Sequence, residues 1–214
     1  MSGRDLLSFK RYLVVGKKDL ASLLDSLPGF ERPKLRLEQY ITPGEIAATV
    51  AWAMYMRGEL AEGWIADLGC GTGRLAYAVA ALGGRAVCID IDVDALRTAE
   101  MLGLDVALCD AERPCAKRPV KVVMNPPFGV WTRHGDVRFL RGAASIAEII
   151  YSIHKAAAVE HVFRVARSLG LEPQLLETAA VYIPPMYRHH RKRRHRVEVA
   201  VLRLESTSRG TRGR

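Results

Sequence analysis

The stretch W-I-A-D-L-G-C-G-T-G-R, Trp64 to Arg74, decides the fold of this chain. A short apolar run typical of a buried strand leads into a loop with three alternate glycines, and residues 74–82 have a helical pattern. A glycine-rich turn between a strand and a helix directs backbone N–H groups into the space above the strand end. Taken alone, the loop fits a dinucleotide-binding fold or a plain tight turn.

Short apolar runs and helical patterns alternate after this loop. After the strand at 64–68, further strands are predicted at 86–90, 104–110, 120–124, 148–153, 175–183 and 196–204, and further helices at 94–102 and 156–169. Repeated strand–helix units predict a parallel sheet with helices on both faces. The last two strands have no helix between them, which predicts an antiparallel edge hairpin. We therefore expect a Rossmann-like α/β fold with a mostly parallel seven-stranded sheet.

The chain before Trp64 predicts two helices and an extended connector. Residues 3–27 mix leucines with charges in a helical pattern, which Pro28 and Gly29 end. Residues 42–45, T-P-G-E, match a capping box with Thr42 as the N-cap of a helix that runs to about Met56.

Composition narrows the class of protein. The chain has 214 residues, of which 49% are hydrophobic, and this predicts one domain with a substantial core. No apolar run reaches the roughly 18 residues of a membrane span, and the N-terminus lacks a signal-peptide core. The four cysteines lack C-x-x-C spacing, which argues against a metal site and favours a reducing cytoplasm. A disulfide between Cys109 and Cys115 is the alternative.

Much of the net charge of +9 lies in one run, R-H-H-R-K-R-R-H-R, residues 188–196. Its permanent charges are Arg188, Arg191, Lys192, Arg193, Arg194 and Arg196. Without these six charges the net charge would be +3. A clustered patch favours a polyanionic partner such as RNA, because phosphates relieve the repulsion between neighbouring cations. The alternative is a solvated basic loop.

Three acidic residues lie at the carboxyl ends of the first three predicted strands and indicate the ligand. Asp67 lies inside the glycine loop, where a carboxylate suits an ammonium group and would repel a pyrophosphate. Asp90 ends the second strand, about 20 residues later, where it can accept from ribose hydroxyls. Asp110 ends the third strand, where it can accept from an adenine amino group beside the Ala111 N–H. Together they predict S-adenosylmethionine, although each acid could instead cap a helix.

The fourth predicted strand ends in N-P-P-F, Asn125 to Phe128. The Asn125 side-chain oxygen and the Pro126 carbonyl are two acceptors that can bind both hydrogens of an exocyclic amine and direct its lone pair at a methyl donor. Pro126 and Pro127 fix φ and so hold the acceptors rigid. Phe128 offers a flat face for an extruded base. The alternative is a proline-rich turn without function.

These motifs resemble a known family. The series D-x-G-x-G-x-G and N-P-P-F resembles the class I amino-methyltransferases. L-E-Q-Y-I-T-P-G-E-I-A (37–47), N-P-P-F-G (125–129) and Y-S-I-H-K-A-A-A-V-E-H-V (151–162) are similar to the methyltransferase-like-five family and its archaeal relatives. The resemblance covers residues 29–204. It implies methylation of adenine N6 in small-subunit ribosomal RNA by a domain at 29–205, between an N-terminal helical extension (1–28) and a disordered basic tail (206–214).

The resemblance also implies roles for individual residues. Gln39 and Thr42 would close over the methyl donor. Its methionine end would be lined by Gly69, Thr72 and Arg74, with Gly71 in the same loop. Asp90 would hold the ribose, and Asp110 with Ala111 the adenine. The motif of Tyr151, His154 and Lys155 has no role that the sequence explains. Eukaryotic relatives pair with a small zinc-binding activator, by strand addition near the glycine loop.

Two other functions are compatible with the sequence besides RNA adenine methylation. A protein glutamine N5-methyltransferase fits the N-P-P-F turn too, because an amide nitrogen has an equally delocalised lone pair. The third hypothesis is an RNA-binding ribosome-assembly factor without catalysis, against which Asp90, Asn125 and Phe128 argue.

Overall fold

The computed structural model describes residues 16–116, 120–128, 135–183 and 195–207. Seven strands form one sheet: β1 Trp64–Leu68, β2 Arg85–Asp90, β3 Asp105–Leu108, β4 Val120–Met124, β5 Ala147–Lys155, β6 Leu171–Ile183 and β7 His195–Ser206. Their spatial order is β3-β2-β1-β4-β5-β7-β6. The first five strands in this order pair in parallel, and β7 pairs antiparallel with both β5 and β6. The predicted sheet and its antiparallel edge hairpin are confirmed.

Six α-helices occur in the described part of the chain: α1 Lys17–Asp25, α2 Gly44–Met56, α3 Arg74–Ala81, α4 Val93–Met101, α5 Gly135–Ile146 and α6 Val159–Ser168. Short 3-10 helices lie at Leu35–Leu37 and Ala156–Ala158. None of these helices is long and apolar enough to cross a membrane.

The sheet separates two apolar layers. Successive residues of β5 alternate between them: Tyr151 and Ile153 join the layer that contains α1, α2 and α3, whereas Ile150 joins the layer of α5 and α6. Leu20 and Leu24 of α1, one helical turn apart, are fully buried in the first layer. Each such leucine stabilises the fold by roughly 1.5–3 kcal/mol. The division of the chain at residue 28 stays a prediction.

Helix α5 was not predicted from the sequence. It contains Gly142, which lowers intrinsic helix propensity by about 1 kcal/mol relative to alanine. The glycine is explained by a tertiary contact, because a Cβ atom at this position would lie 2.2 Å from the Ala111 carbonyl oxygen. The missing side chain therefore lets α5 pack directly on the loop after β3.

The prediction that Thr42 caps α2 was wrong. Pro43 is the N-cap residue, without a side-chain cap, and the Gly44 N–H donates to the Asp25 carboxylate at the end of α1 (2.7 Å). The Asp25 carboxylate thus accepts the hydrogen bond at the start of α2, and the Thr42 hydroxyl is available to another partner. Strand β6 begins four residues earlier than predicted and includes Pro173, which an edge strand tolerates because its missing N–H can face solvent.

Some predictions lie outside the described residues. They include residues 3–15 of the first predicted helix, all of the basic run except His195 and Arg196, and the tail from residue 208. Arg196 is exposed, and its guanidinium lies 3.5 Å from the Glu198 carboxylate. The four cysteines are free thiols, so the structure contains no disulfide between Cys109 and Cys115.

Candidate functional site

A cavity of about 170 Å³ opens at the carboxyl ends of β1, β2, β3 and β4. Ligands of doubly wound sheets bind at this edge. All ten residues predicted to bind a cofactor line the cavity: Gln39, Thr42, Asp67, Gly69, Gly71, Thr72, Arg74, Asp90, Asp110 and Ala111. Asn125 and Pro127 line it as well, whereas Phe128 lines a smaller adjoining cavity. The fold thus gathers residues from separate segments of the chain around one space.

The glycine loop approaches two aromatic rings too closely for a side chain. Gly69 and Gly71 have φ values of 69° and 55°, in the left-handed region that favours glycine. A Cβ atom on Gly69 would lie 2.5 Å from the Phe139 ring, and one on Gly71 would lie 2.6 Å from the Phe30 ring. The loop is therefore a cradle that only glycine can form at these two positions.

Asp67 is the most deeply buried carboxylate of the cavity, with 1% of its surface exposed. One oxygen accepts from the Ala76 N–H at 2.9 Å, which attaches the end of β1 to the first turn of α3. The other oxygen is buried without a hydrogen-bond partner among the described residues. Burial raises the pKa of Asp67 to about 7. A buried carboxylate with a free oxygen is suited to a cationic ligand group.

Asp90 and Asp110 support the backbone at the ends of their strands. Asp90 accepts from the Gly71 N–H at 2.8 Å and from the Asp92 N–H at 2.9 Å, and burial raises its pKa. Asp110 accepts from the Glu112 N–H at 2.8 Å. These contacts stabilise the local backbone, as the alternative interpretation of the acids as helix caps also expects of them. Each carboxylate nevertheless keeps further lone pairs, because an ionised carboxylate has about four acceptor sites.

The connector between α1 and α2 lies over the cavity and is tied to the start of α4. The Gln39 side chain donates to Asp92 at 2.6 Å and accepts from the Lys34 N–H at 2.7 Å. The Lys34 ammonium pairs with both Asp92 and Asp94. Asp92 is also the N-cap of α4, where its side chain accepts from the Asp94 N–H. Gln39 therefore closes the cavity by holding the connector to Asp92.

Arg74 also holds the connector in place. Its guanidinium donates to the carbonyl oxygens of Leu27 (3.0 Å) and Thr42 (3.3 Å), and lies 3.6 Å from the Asp25 carboxylate. Burial lowers the pKa of Arg74. The side chain of Thr72, which lines the same end of the cavity, is buried. The described contacts of Arg74 are thus with the protein backbone and Asp25.

The N-P-P-F turn presents a buried acceptor. The Asn125 amide nitrogen donates to the Thr42 hydroxyl at 2.9 Å, and the Asn125 oxygen is buried without a partner among the described residues. The Pro126 carbonyl accepts from the Tyr40 hydroxyl at 3.5 Å. The ring centroids of Tyr40 and Phe128 are 5.1 Å apart. A neutral buried oxygen that lacks a donor can accept a hydrogen from a ligand amine.

The Y-S-I-H-K motif supports the fold on both faces of β5. The Tyr151 hydroxyl donates to Glu59 at 2.6 Å, and Glu59 also binds Arg203 of β7 at 2.7 Å. His154 lies 2.7 Å from the Ser152 hydroxyl, and burial lowers the pKa of His154 to about 4, so the ring is neutral near pH 7. The Lys155 ammonium lies 5.5 Å from the centre of the Phe128 ring.

Several cavity residues were missed from the sequence. Phe30, Glu38, Tyr40 and Phe139 line the cavity beside the predicted set. Glu38 has a φ of 50°, uncommon for a residue other than glycine, and sequence does not reveal such strain. Tyr40 lies inside the L-E-Q-Y-I-T-P motif, between Gln39 and Thr42. Its place between two predicted cavity residues could have indicated that it lines the cavity too.

Comparisons with known proteins identify the family of this chain. Residues 48–145 match the family model of the methyltransferase small domain. The chain is 33% identical to the rRNA N(6)-adenosine-methyltransferase METTL5 of Danio rerio over 204 residues, which cover 89% of this chain and 99% of the relative. The chain belongs to the METTL5 family. The Drosophila melanogaster member of the METTL5 family is also 33% identical, over 88% of this chain and 95% of its own length.

Solved structures place the METTL5-family chain among class I methyltransferases. A crystal structure from Pyrococcus horikoshii, assigned as an RNA methyltransferase, has 34% identity and a TM-score of 0.82, covering 91% of this chain and 98% of that one. Magnesium protoporphyrin IX methyltransferase from Synechocystis, solved with bound SAM, has 12% identity and a TM-score of 0.58, covering 94% of this chain and 97% of that one, which shows a shared fold alone. The predicted fold and the family resemblance are confirmed.

Proposed function

We propose that this protein is an S-adenosylmethionine-dependent methyltransferase that modifies N6 of an adenine in RNA. The RNA that we propose as its substrate is ribosomal RNA. The observation that carries the proposal is the buried Asn125 oxygen, which lacks a partner among the described residues at the tip of β4. The three METTL5-named relatives are rRNA N(6)-adenosine-methyltransferases by name, at up to 33% identity over most of the chain.

The residues around the cavity fit the cofactor. The free oxygen of Asp67 suits an ammonium group, and the glycine cradle admits backbone contact where a side chain would collide. Asp90 and Asp110 keep lone pairs for ribose hydroxyls and an adenine amino group. When bound, S-adenosylmethionine supplies an electrophilic methyl group. We assign Gln39, Thr42 and Arg74 to holding the connector over it.

The N-P-P-F turn addresses the low reactivity of an exocyclic amine. The lone pair of adenine N6 is delocalised into the ring. The Asn125 oxygen and the Pro126 carbonyl can accept the two N–H hydrogens, which draws the nitrogen toward tetrahedral geometry and localises its lone pair. The nitrogen gains positive charge before its proton leaves, so no strong base is required. Phe128 offers an aromatic face for the extruded base.

The place of the basic run in the sequence, between β6 and β7, supports an RNA substrate. At the end of β5, Lys155 pairs with Val199 of β7. Strands β7 and β6 remain paired beyond this point, as far as His195 and Ile183. The hairpin therefore extends past the carboxyl end of β5, which is the edge that carries the N-P-P-F turn. In sequence, Ile183 and His195 flank residues 184–194, which contain most of the basic run.

A partner subunit is part of the proposal. Strand β3 is an edge of the sheet, and Leu108 at its end is 63% exposed. Ile91 and Val93, beside the end of the neighbouring strand β2, are also exposed. An unpaired edge with apolar flanks suits strand addition by a small zinc-binding activator. We place the assembled enzyme in the cytoplasm.

A labelled-donor assay tests the function. The protein is incubated with methyl-labelled S-adenosylmethionine and undermethylated ribosomal RNA, with and without a cell extract as a protein source. Label in RNA that digests to N6-methyladenosine supports the proposal. Label in protein glutamine would instead support the rival methyltransferase function. Failure to bind the donor at millimolar concentration would favour the assembly factor.

A further inference from the structure

The N-P-P-F turn contains few groups that can hold it in place. Pro126 and Pro127 have no backbone N–H, so they cannot donate to a neighbouring strand or turn. The acceptor carbonyl of Pro126 belongs to this donor-poor segment. Its orientation must therefore be set by φ and by side chains outside the turn.

Among the side chains that reach the turn, Tyr40 contacts two of its parts. Its hydroxyl donates to the Pro126 carbonyl at 3.5 Å. Its ring lies against the Phe128 ring, with centroids 5.1 Å apart and an interplanar angle of 37°. One residue from a distant segment thus contacts both the acceptor carbonyl and the aromatic side chain of the turn.

The hydroxyl of Tyr40 is a dependable donor. Burial and the nearby Glu38 charge raise the pKa of Tyr40 well above its ordinary value. The O–H group therefore stays protonated at neutral pH. A carbonyl oxygen has two lone pairs, so Pro126 can accept from Tyr40 and from a substrate amine at once.

The neighbours of Tyr40 show why this residue is well placed. Gln39 is tied to Asp92, and the Thr42 hydroxyl accepts from the Asn125 amide. Tyr40 and Thr42, two residues apart, therefore reach the two halves of the same turn. The connector holds the Pro126 carbonyl through Tyr40 and the Asn125 amide nitrogen through Thr42.

We propose that Tyr40 is a positioning residue for methyl transfer, whose hydroxyl orients the Pro126 carbonyl toward the target amine and whose ring steadies Phe128. This inference rests on the proposed function and deepens it. The 3.5 Å contact between Tyr40 and Pro126 is expected to shorten when substrate is bound, because hydrogen bonds at such sites tighten in the reactive complex.

The test uses Tyr40→Phe, which keeps the ring and removes the hydroxyl. The matched control is Tyr55→Phe, since Tyr55 is 51% exposed and lies outside both cavities. We expect kcat to fall about tenfold in Tyr40→Phe. The KM for the acceptor, the Kd for S-adenosylmethionine and the Tm should match those of the wild-type protein and the control. Tyr40→Leu, which also loses the ring, should lower kcat further and still bind the cofactor normally.

Three kinetic results would overturn the inference: an unchanged kcat in Tyr40→Phe, a rise in KM at constant kcat, or faster turnover. The last would show that the hydroxyl competes with the substrate for Pro126. A Tm drop accompanied by equal loss of cofactor affinity would indicate a general structural role and would also contradict it. The wild-type reaction shows first whether RNA or protein is the methyl acceptor, and this result tests the proposed RNA substrate. The Tyr40 variants are then assayed with that acceptor, so their result tests the role of Tyr40 separately.

Discussion

The Asn125 amide nitrogen donates to the Thr42 hydroxyl at 2.9 Å, although the two residues lie 83 positions apart in sequence. The bond fixes the rotation of the amide and so determines where its oxygen points. That oxygen is buried and has no hydrogen-bond partner among the described residues. Leaving such a group unsatisfied costs about 1–3 kcal/mol, a cost that a substrate N–H would remove.

Asn125→Ala should nearly abolish turnover. Loss of one preorganised polar group at a reacting centre typically lowers kcat by about a hundredfold or more. The variant should bind S-adenosylmethionine within a few-fold of the wild-type Kd, because the predicted donor contacts lie on other residues. Single-turnover methyl transfer and calorimetric cofactor binding measure the two quantities. Near-normal turnover in this variant would refute the assignment of the turn.

Thr42→Val should lower kcat about tenfold, since it removes the hydroxyl that orients the Asn125 amide. Thr42→Ser is the matched control, because it keeps the oxygen at similar geometry. The Thr42 carbonyl, which Arg74 binds, is unaffected by either change. Steady-state kinetics should show a deficit for valine and a small effect for serine. A loss in Thr42→Ser together with near-normal turnover in Thr42→Val would point to packing of the methyl group instead.

Gly71→Ala should weaken cofactor binding strongly. Its φ is positive, and an added Cβ would lie 2.6 Å from the Phe30 ring. Gly63 offers a control, because its φ is also positive while, among the described residues other than its two chain neighbours, no atom lies within 4 Å of the place a Cβ would take. Both alanine variants should lose roughly 1–2 kcal/mol of unfolding free energy through backbone strain. Equilibrium dialysis should show a loss of cofactor binding for Gly71→Ala alone. Equal losses of cofactor affinity in the two variants would contradict a cradle role for Gly71.

Cofactor affinity should depend on the ionisation of Asp67, whose pKa burial raises to about 7. Because this folded-state pKa lies above the unfolded value, the unliganded protein loses stability as pH rises from roughly 4 to 7. A cationic ligand group requires the carboxylate, so affinity should fall by up to about tenfold for each pH unit below about 7. In Asp67→Asn this dependence should disappear. A Kd independent of pH in the wild-type protein would argue against contact between Asp67 and a cation.

Replacement of the six Lys and Arg residues of 188–196 by serine should weaken RNA binding and flatten its salt dependence, because fewer counterions are released. Arg57→Ser and Arg85→Ser serve as controls, since both arginines are exposed, and Arg85 begins β2 at the end of the sheet opposite the cavity. Filter binding at several salt concentrations gives the slope. An unchanged slope would mean that the run does not contact RNA.

Sequence was sufficient for features that depend on local pattern. The strand–glycine loop–helix unit at Trp64 predicted the parallel sheet, and the acids after β1, β2 and β3 predicted which residues line the cavity. Features that depend on tertiary contact were missed. Helix α5 contains Gly142 because the Ala111 carbonyl lies against it, and Thr42 binds Asn125 because Asp25 serves the start of α2. Such contacts join segments whose proximity no local pattern encodes.

The central claim is that the Asn125 oxygen and the Pro126 carbonyl bind the target amine. A crystal structure of the enzyme with a non-reactive cofactor analogue and an adenosine-containing RNA measures this directly. We predict that adenine N6 lies about 2.7–3.2 Å from both oxygens, with the base against Phe128. A structure in which N6 points away from the turn and the Asn125 oxygen still lacks a donor would contradict it.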